Sequence, residues 1–184
     1  MKANSLRDLY VEQLKDLYDA EHQLIKALPK IAEASSSEEL RNAFEEHLEK
    51  TQQHAQRIEQ IFEGMGQSPK AQKCKGMEGL LKEGNEILKE DDLDKGVKDA
   101  GLIANAQRVE HYEIAGYGTV RTYANLLGEE EAASLLQQTL EEEKEADQTL
   151  TDIAEQINVE AAEGKAEEGA ARRSRTATRR RPAA

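Results

Sequence analysis

Apolar residues recur every three or four positions along four long stretches of the chain, which is the spacing of an α-helix with one buried face. In the first stretch the apolar stripe consists of Leu6, Tyr10, Leu14, Leu17, Leu24, Leu28 and Ile31. Pro29 lies inside this stretch, where a proline kinks a helix or interrupts its hydrogen bonds. The pattern predicts four long amphipathic helices, at about residues 6–34, 38–63, 95–127 and 129–158.

The connections between these helices indicate their arrangement. Ser36 and Glu39 form a capping-box pattern directly after the first helix, and Gly128 suits the position directly after the third. The second and third helices are instead separated by residues 65–94, with a short helical pattern at Met77, Leu80, Leu81, Ile87 and Leu88. Short, long, short is the connection order of two antiparallel helix hairpins joined by a crossover. The sequence therefore predicts an all-α four-helix bundle whose crossover contains a short helix.

The periodicity ends after about Val159, where Ala, Gly and Glu and then Arg dominate. This composition predicts a bundle at residues 1–159 and a disordered tail at residues 160–184. The charge divides at the same place, because residues 161–184 carry +4 and the rest −16, within a net charge of −12. An acidic body repels nucleic acid, whereas an Arg-rich tail is able to make weak contact with DNA. The alternative is an unstructured, solubilising end.

Composition narrows the class of protein. The 184 residues contain no apolar run of the roughly 18 residues that a membrane span needs, and the N-terminal segment lacks the apolar core of a signal peptide. The single cysteine, Cys74, excludes an intramolecular disulfide and fits a reducing compartment. We therefore expect a cytoplasmic protein with no membrane partner.

A polar side chain of a metal-binding type interrupts the apolar stripe near the middle of every predicted long helix. In the first helix this residue is Glu21. In the others the interruptions are His47, Thr51 and His54, then Glu110 with Glu113 or Ile114 one turn later, then Glu143 and Asp147. One such residue most often reflects a shifted periodicity. The same interruption in four helices indicates a shared polar layer.

Buried carboxylates need partners, because an unpaired one costs several kcal/mol and normally becomes neutral or binds a cation. Several converging acids cannot all satisfy one another, whereas two divalent cations balance the charge of four carboxylates. Oxygen-rich ligation with a nitrogen suits iron or manganese, so the sequence predicts a site for about two such ions per chain. A short internal repeat agrees, since Leu17-Tyr-Asp-Ala-Glu-His22 lines up with Gln107-Arg-Val-Glu-His111 when Glu21 is placed on Glu110.

Five segments resemble the YciE/YciF family of ferritin-like bacterial stress proteins. They are Tyr18-x-Ala-Glu-x-Gln-Leu-x-Lys-Ala-Leu-Pro-Lys30, His47-Leu-Glu-x-Thr51, Met77-Glu-Gly-Leu80, Val109-Glu-His-Tyr-Glu-Ile-Ala-x-Tyr-Gly-Thr119, and Thr139-Leu-Glu-Glu-Glu-Lys144 with Asp147. The resemblance covers about residues 4–158 and leaves out the tail.

The resemblance implies a ferritin-like four-helix bundle in a protein whose expression is induced under stress. It also implies a homo-oligomer, which we expect to be a dimer. A di-iron or di-manganese site is implied as well. Glu21 and Glu110 would bridge or cap the ions. The remaining candidate ligands are His54, Glu113, Glu143 and Asp147.

The chain departs from the general ferritin-like pattern, which has Glu-x-x-His on the second and fourth helices. The aligned positions are Thr51-x-x-His54 and Glu143-x-x-Ala146, so each keeps half of the motif. Asp147 could replace the missing histidine, and Lys50 could compete with a cation. These departures leave a dinuclear, an asymmetric, a mononuclear or an empty site open.

Other polar residues near the stripe have simpler interpretations. His22 and His111 each follow a candidate ligand by one residue, so they point about 100° away and are expected to form hydrogen bonds beside the site or between helices. His47 lies two turns from His54, too far for both to bind one ion, and is expected in the core or beside the ligands. The acidic neighbours within residues 141–145 are expected to face solvent.

Three functions are compatible with the sequence. The first is a metal-binding stress protein whose iron or manganese reacts with small oxidants, peroxide or O₂, at open coordination positions. The second is a non-catalytic, self-associating bundle in which the acids pair with Lys50, Arg108 or Arg121. The third adds DNA contact through the arginines at residues 172–181.

Overall fold

The structure, a computed structural model, describes the backbone of residues 3–178 and the side chains of residues 3–159, 161 and 162. Its helices are α1 (Leu6–Ala34), α2 (Glu38–Gly64), α3 (Lys75–Lys89), α4 (Lys95–Leu126) and α5 (Glu130–Thr178). No strand occurs in this part of the chain, so the all-α prediction is confirmed. Pro29 does not end α1, which continues to Ala34. None of the described helices is both long and apolar enough to cross a membrane.

Helix α5 is longer than the sequence pattern predicts. Its last buried apolar residue among the described side chains is Ile157, but its backbone is helical as far as Thr178. Residues 160–178 are thus helical where the composition predicts disorder. Alanine, glutamate, lysine and arginine all have high helix propensity, which extends a helix without burial. The boundary between a bundle and a basic tail stays a prediction, and residues 179–184 lie outside the described part of the chain.

The core consists of two apolar clusters. Helix α1 packs on α2 and α4 packs on α5, contacts of α1 with α4 and of α2 with α5 join the two pairs, and α3 packs on α1 and α4. One cluster, the Leu24 cluster, includes Ala20, Leu24, Leu28, Leu40, Phe44, Ile103, Val109, Leu150 and Ile153. The other, the Tyr117 cluster, includes Leu14, Leu17, Ile58, Phe62, Tyr117, Val120, Leu136 and Leu140. Because each long helix contributes to both clusters, they lie toward opposite ends of the bundle.

The turn between α1 and α2 is fixed by a carboxylate from α4. The N–H groups of Ser36 and Ser37 donate to Oδ1 and Oδ2 of the buried Asp99, at 2.9 and 2.8 Å. The predicted helix cap at Ser36 is therefore wrong by one position, since Ser37 Oγ accepts the N–H of Leu40 at 3.3 Å. One side chain thereby ties the first pair of long helices to the second.

The connection from α2 to α3 is tied to α1 through Cys74. Asp19 Oδ2 accepts the Cys74 N–H at 2.8 Å, and Gln23 Nε2 donates to the Cys74 carbonyl at 3.0 Å. The thiol is buried beside the Tyr112 hydroxyl, and burial raises its pKa. Cys74 is therefore a structural residue rather than a reactive thiol.

We expect Asp99→Asn to lower the free energy of unfolding by about 1–3 kcal/mol, because the amide keeps one oxygen for two N–H groups and loses the charge. Urea unfolding followed by circular dichroism measures the change. The control is Asp92→Asn at an exposed position between α3 and α4, which should change the free energy by less than about 0.5 kcal/mol. Equal stability of the two variants would show that Asp99 does not hold the turn.

Candidate metal centre

Buried polar side chains from all four long helices meet between the two apolar clusters. In α1, Glu21 lies between Leu17 of the Tyr117 cluster and Leu24 of the Leu24 cluster. The same position is occupied in the other long helices by His47, Thr51 and His54 of α2, Glu110 and Glu113 of α4, and Glu143 of α5. These residues form a polar layer across the middle of the bundle, enclosed by apolar side chains on both sides.

The candidate ligand atoms of this polar layer form two groups that share Glu143. One group is His47, Glu110, Glu113 and Glu143, and the other is Glu21, His54 and Glu143. Within each group the ligand atoms lie within 4.8 Å of one another. Ligands of one ion, bound at about 2.0–2.2 Å each, have comparable separations. The layer therefore has the donor set of two neighbouring metal positions.

Most polar atoms of the layer make no hydrogen bond. These atoms are Glu21 Oε2, Glu110 Oε2, both carboxylate oxygens of Glu113 and of Glu143, both ring nitrogens of His47, and Nδ1 of His54. Leaving a buried polar group unpaired costs about 1–3 kcal/mol, and more when the group is charged. A cation satisfies several such atoms at once, so the residues present fit a metal.

Three carboxyl groups of the layer, those of Glu21, Glu110 and Glu113, hold protons more tightly than carboxyl groups in water. Burial is the main cause that raises the pKa of Glu110 and of Glu113 well above the ordinary range, and neighbouring carboxylates raise it further. Burial also raises the pKa of Glu21 to about 8, although His54 and the Tyr117 hydroxyl act in the opposite direction. The Tyr117 hydroxyl donates a hydrogen bond to Glu21 Oε1.

His54 supplies positive charge to the layer in the absence of metal. Its Nδ1 lies 3.0 Å from Glu143 Oε1 and 3.8 Å from Glu21 Oε2. Burial lowers the imidazole pKa, but the carboxylates of Glu143, Glu21 and Glu142 outweigh it and raise the pKa to about 9. Burial likewise opposes ionisation of Glu143, whose pKa is nevertheless lowered by its contact with His54. An ion pair between these two residues, with protons on other carboxyl groups, reduces the net charge of the metal-free layer but leaves most of its polar atoms without a hydrogen-bond partner.

The structure brings five of the six predicted ligands into the layer, namely Glu21, His54, Glu110, Glu113 and Glu143. The sixth, Asp147, lies one turn beyond Glu143 on α5, outside both groups. Its side chain is 23% exposed, its Oδ1 accepts from Gln107 Nε2 at 3.2 Å, and its Oδ2 lies 3.3 Å from His111 Nε2. Asp147 thus faces the α4–α5 surface rather than the buried groups.

His47 is a candidate ligand, although its spacing from His54 predicts a place in the core or beside the ligands. Its Nε2 lies 3.4 Å from Glu110 Oε1. It belongs to a different ligand group from His54, and the ring centroids are 6.5 Å apart, as their spacing of two turns requires. Thr51 Oγ1 donates to the His47 carbonyl within α2, and Lys50 Nζ points to Glu145 at 3.8 Å. Thr51 therefore adds no charge to the layer, whereas burial lowers the pKa of His47 and Lys50, although it lies outside the layer, acts in the same direction.

Glu142 was expected to face solvent, and the structure gives it a different place. Its Oε2 lies 2.8 Å from His54 Nε2, and both of its oxygens accept hydrogen bonds from Arg57. Burial acts against ionisation, but Arg57 and then His54 lower the pKa of Glu142 to about 2. Periodicity gives no signal for a second, partly buried acid next to Glu143. The signal that was available is Arg57, a charged residue three positions after His54 on the same face of α2.

A pocket leads to the layer between α2, α4 and α5. It has a volume of about 40 Å³ and is lined by Ala43, Phe44, Glu46, His47, Lys50, Glu110, Ala146, Thr149 and Leu150. A cavity needs about 10–15 Å³ on this measure to hold one water molecule, so the pocket admits molecules of the size of water or peroxide. His47 and Glu110 line this pocket, so they are the candidate ligands that such a molecule contacts first.

Comparisons with known proteins agree with the sequence resemblance. A family model described as a domain of unknown function (DUF892) matches residues 5–163. The protein YciF of Escherichia coli (strain K12) is 48% identical over 155 residues, which are 84% of this chain and 93% of YciF. The crystal structure of this E. coli stress protein matches with a TM-score of 0.81, 47% identity, and coverage of 84% of this chain and 98% of that one. For YcfI from Rhodopseudomonas palustris the TM-score is 0.78 at 41% identity, with 82% and 95% covered.

We expect the metal-free protein to lose stability as the pH rises from about 6.5 to about 9. His54 and Glu21 bind protons more tightly in the folded chain, with pKa values of about 9 and 8, than at their ordinary values of 6.5 and 4.5. Their protons therefore favour the folded state at low pH, and this contribution is lost as the pH passes the folded values. The lowered pKa of Glu143 changes the stability only below about pH 4.5, so it does not affect the range from pH 6.5 to 9.

Urea unfolding in the presence of a chelator measures this pH dependence, with an expected loss of several kcal/mol. His54→Gln should flatten the slope. The control is His111→Gln, because this imidazole is 69% exposed and lies outside both ligand groups, and it should keep the wild-type slope. A free energy of unfolding that is constant or rises over this window would contradict the prediction.

Proposed function

We propose a function for this chain from the premise that it belongs to the YciE/YciF family, as its sequence predicts and as its match to the DUF892 model and to YciF shows. The function that the site supports best is binding of two iron or manganese ions, in a stress protein that acts on peroxide or iron. The observation that carries this proposal is the convergence of buried, unpaired carboxylates and imidazoles from four helices.

The order of the helices along the core supports a ferritin-like arrangement. Helices α1 and α5 run from the Tyr117 cluster to the Leu24 cluster, and α2 and α4 run in the opposite direction. Each hairpin is therefore antiparallel, while α2 and α4 are parallel, so the chain must return along the bundle between them. Helix α3 lies in this return. Two hairpins with one long crossover form the connectivity of ferritin-like proteins that bind two metal ions.

The donor set favours iron or manganese. Four carboxylates balance the charge of two divalent cations, and two neutral imidazoles complete the set without adding charge. Oxygen-rich ligation with some nitrogen is typical of these metals, whereas the thiolates that zinc and copper(I) favour are missing from both ligand groups. Metal binding would displace the protons on Glu21, Glu110, Glu113 and His54, so affinity should increase with pH.

Iron or manganese bound here would supply the capacity to exchange electrons with peroxide or O₂. The chain itself controls access and orientation. The two apolar clusters exclude water from both sides of the layer, and the pocket at His47 and Glu110 admits only small molecules. The Tyr117 hydroxyl fixes the orientation of the Glu21 carboxylate by its hydrogen bond to Oε1.

The alternative function is a non-catalytic bundle whose acids are neutralised by basic residues. The three basic residues considered for this role have other partners. Lys50 lies beside Glu145, Arg108 lies beside Glu83, and Arg121 donates to Gln137. The carboxylates of the layer therefore lack the partners that this alternative assigns to them, and a metal-binding site accounts for them better.

Protein expressed with added iron or manganese should contain about two ions per chain, and Glu143→Gln should reduce this to about one or fewer, because this carboxylate is common to both groups. Elemental analysis of the purified protein measures the content. Glu141→Gln is the matched control, two positions away and exposed. Asp147→Asn should also keep the wild-type content. Equal metal content in Glu143→Gln and Glu141→Gln would refute the shared ligand, and wild-type protein without metal would refute the function.

The metal-loaded protein should consume hydrogen peroxide, and Ala146→Phe should slow this reaction by about tenfold or more with unchanged metal content, because the ring fills the pocket beside His47. Peroxide consumption is followed by absorbance. Ala115→Phe, at an exposed position on α4 outside this pocket, serves as the control. A rate unaffected by Ala146→Phe would mean that the oxidant enters elsewhere.

A further inference from the structure

We propose that Glu142 is a positioning residue that holds His54 from behind and makes Nδ1 the atom with which His54 binds metal. The inference rests on the proposed metal binding. It goes beyond it by assigning a role to a side chain outside both ligand groups and by fixing which nitrogen of His54 faces the ion.

The contacts of Glu142 form a connected set at the interface between α2 and α5. Its Oε2 lies 2.8 Å from His54 Nε2 and accepts from Arg57 Nη1 at 2.6 Å, while its Oε1 accepts from Arg57 Nη2 at 2.9 Å. Arg57 Nη1 also donates to Thr139 Oγ1 at 3.0 Å, and Gln138 Nε2 donates to Glu142 Oε1 at 3.1 Å. A guanidinium that binds both oxygens of a carboxylate fixes its plane as well as its position.

The helical spacing explains why these groups meet. His54 and Arg57 are three residues apart on α2, and Thr139 and Glu142 are three residues apart on α5. Residues at this spacing share a helix face, so the two pairs lie opposite each other where α2 packs on α5. The adjacent acid, Glu143, reaches the other side of the same imidazole.

This arrangement assigns the two nitrogens of His54. An imidazole that binds a metal through one nitrogen donates the N–H of the other to a fixed acceptor, which sets the tautomer and the ring orientation. Nε2 has that acceptor in Glu142, whereas Nδ1 lies 3.0 Å from Glu143 Oε1 and makes no hydrogen bond of acceptable geometry. A flipped ring would lose the Glu142 contact, so Nδ1 is the nitrogen that faces the ligand group.

His47 is an imidazole of the layer that has no carboxylate like Glu142 to hold it. Neither of its ring nitrogens has a hydrogen-bond partner, and it lines the pocket that leads to the surface. Only the His54 position is therefore organised before metal arrives. Loss of Glu142 should weaken the position formed by Glu21, His54 and Glu143 and leave the position with His47, Glu110 and Glu113 in place.

The sharpest variant is Glu142→Gln, which keeps the shape of the side chain. Arg57 contacts both carboxylate oxygens, so in either orientation the amide NH2 group faces one of its N–H donors. The variant thus loses the two-point contact that fixes the group and the charge that holds the His54 proton. Glu141→Gln makes the same chemical change one position earlier on α5, where the side chain is exposed, and it is the matched control. Arg57→Lys tests the same contact from α2, because an ammonium group cannot bind both oxygens in one plane.

The experiment is titration of the metal-free proteins with Mn(II), in which electron paramagnetic resonance measures the free ion. Wild type and Glu141→Gln should bind about two ions, and Glu142→Gln should bind one of them about 10–100-fold more weakly while the other changes little. Arg57→Lys should weaken the same ion to a smaller extent. Thermal unfolding of each metal-free protein reports separately whether the fold is intact.

A second readout detects the hydrogen bond itself. In the Co(II)-loaded protein, the Nε2–H of a bound His54 should give a paramagnetically shifted, slowly exchanging proton resonance, because Glu142 holds the proton. The resonance should be present in Glu141→Gln and His47→Gln and be lost in both Glu142→Gln and His54→Gln.

The outcomes separate this inference from the proposed function. Two ions bound with wild-type affinity in Glu142→Gln, or a retained resonance, would overturn the inference and leave metal binding standing. Equal weakening of both ions would also overturn it, because a positioning role affects one position only. Wild-type protein that binds neither Mn(II) nor Co(II) would overturn the proposed function and the inference together.

Discussion

The cost of burying carboxylates in the middle of the bundle is the constraint on which the rest of the structure depends. Glu21, Glu110, Glu113 and Glu143 are almost completely removed from solvent, and each of the first three has a ligand atom within 4.8 Å of one from Glu143. Such a cluster does not persist unless protons, His54 or metal ions compensate its charge. The apolar clusters on both sides supply the stability that this layer does not. Their packing also aligns the four long helices, so that their polar residues meet in one layer.

The ends of the bundle support the alignment of this central layer. Asp99 fixes the α1–α2 turn to α4, and Asp19 and Gln23 hold the segment before α3 against α1. Both sets of contacts bring parts of the chain together that are distant in sequence. A slip of one helix by one turn would move its polar residue into an apolar cluster, so the same packing that excludes water also sets the register of the ligands.

The sequence predicts the features that depend on one helix at a time. The helix spans follow from local periodicity, and an acid on an apolar stripe, such as Glu21, is visible without a partner. The sequence does not predict the contacts of Glu142 and His47, because these depend on which side chains face each other across a helix interface. Asp147 lies four residues after Glu143, a spacing that predicts a shared helix face. One turn further along α5, however, its side chain already lies at the α4–α5 surface. The helix at residues 160–178 follows from the high helix propensity of its residues. Apolar periodicity indicates only whether a helix has a buried face, so its loss after Val159 does not show that the helix ends.

Glu143 belongs to both ligand groups, and this has a consequence for how the layer fills. In a chain that binds two ions here, the affinity of each position depends on the occupancy of the other, and the dependence is reciprocal. The first ion displaces protons and orders a carboxylate that the second ion also uses. In such a chain this ordering favours the second ion, while repulsion between two cations that share one carboxylate opposes it. The separation between the two binding constants would therefore report the balance of the two effects.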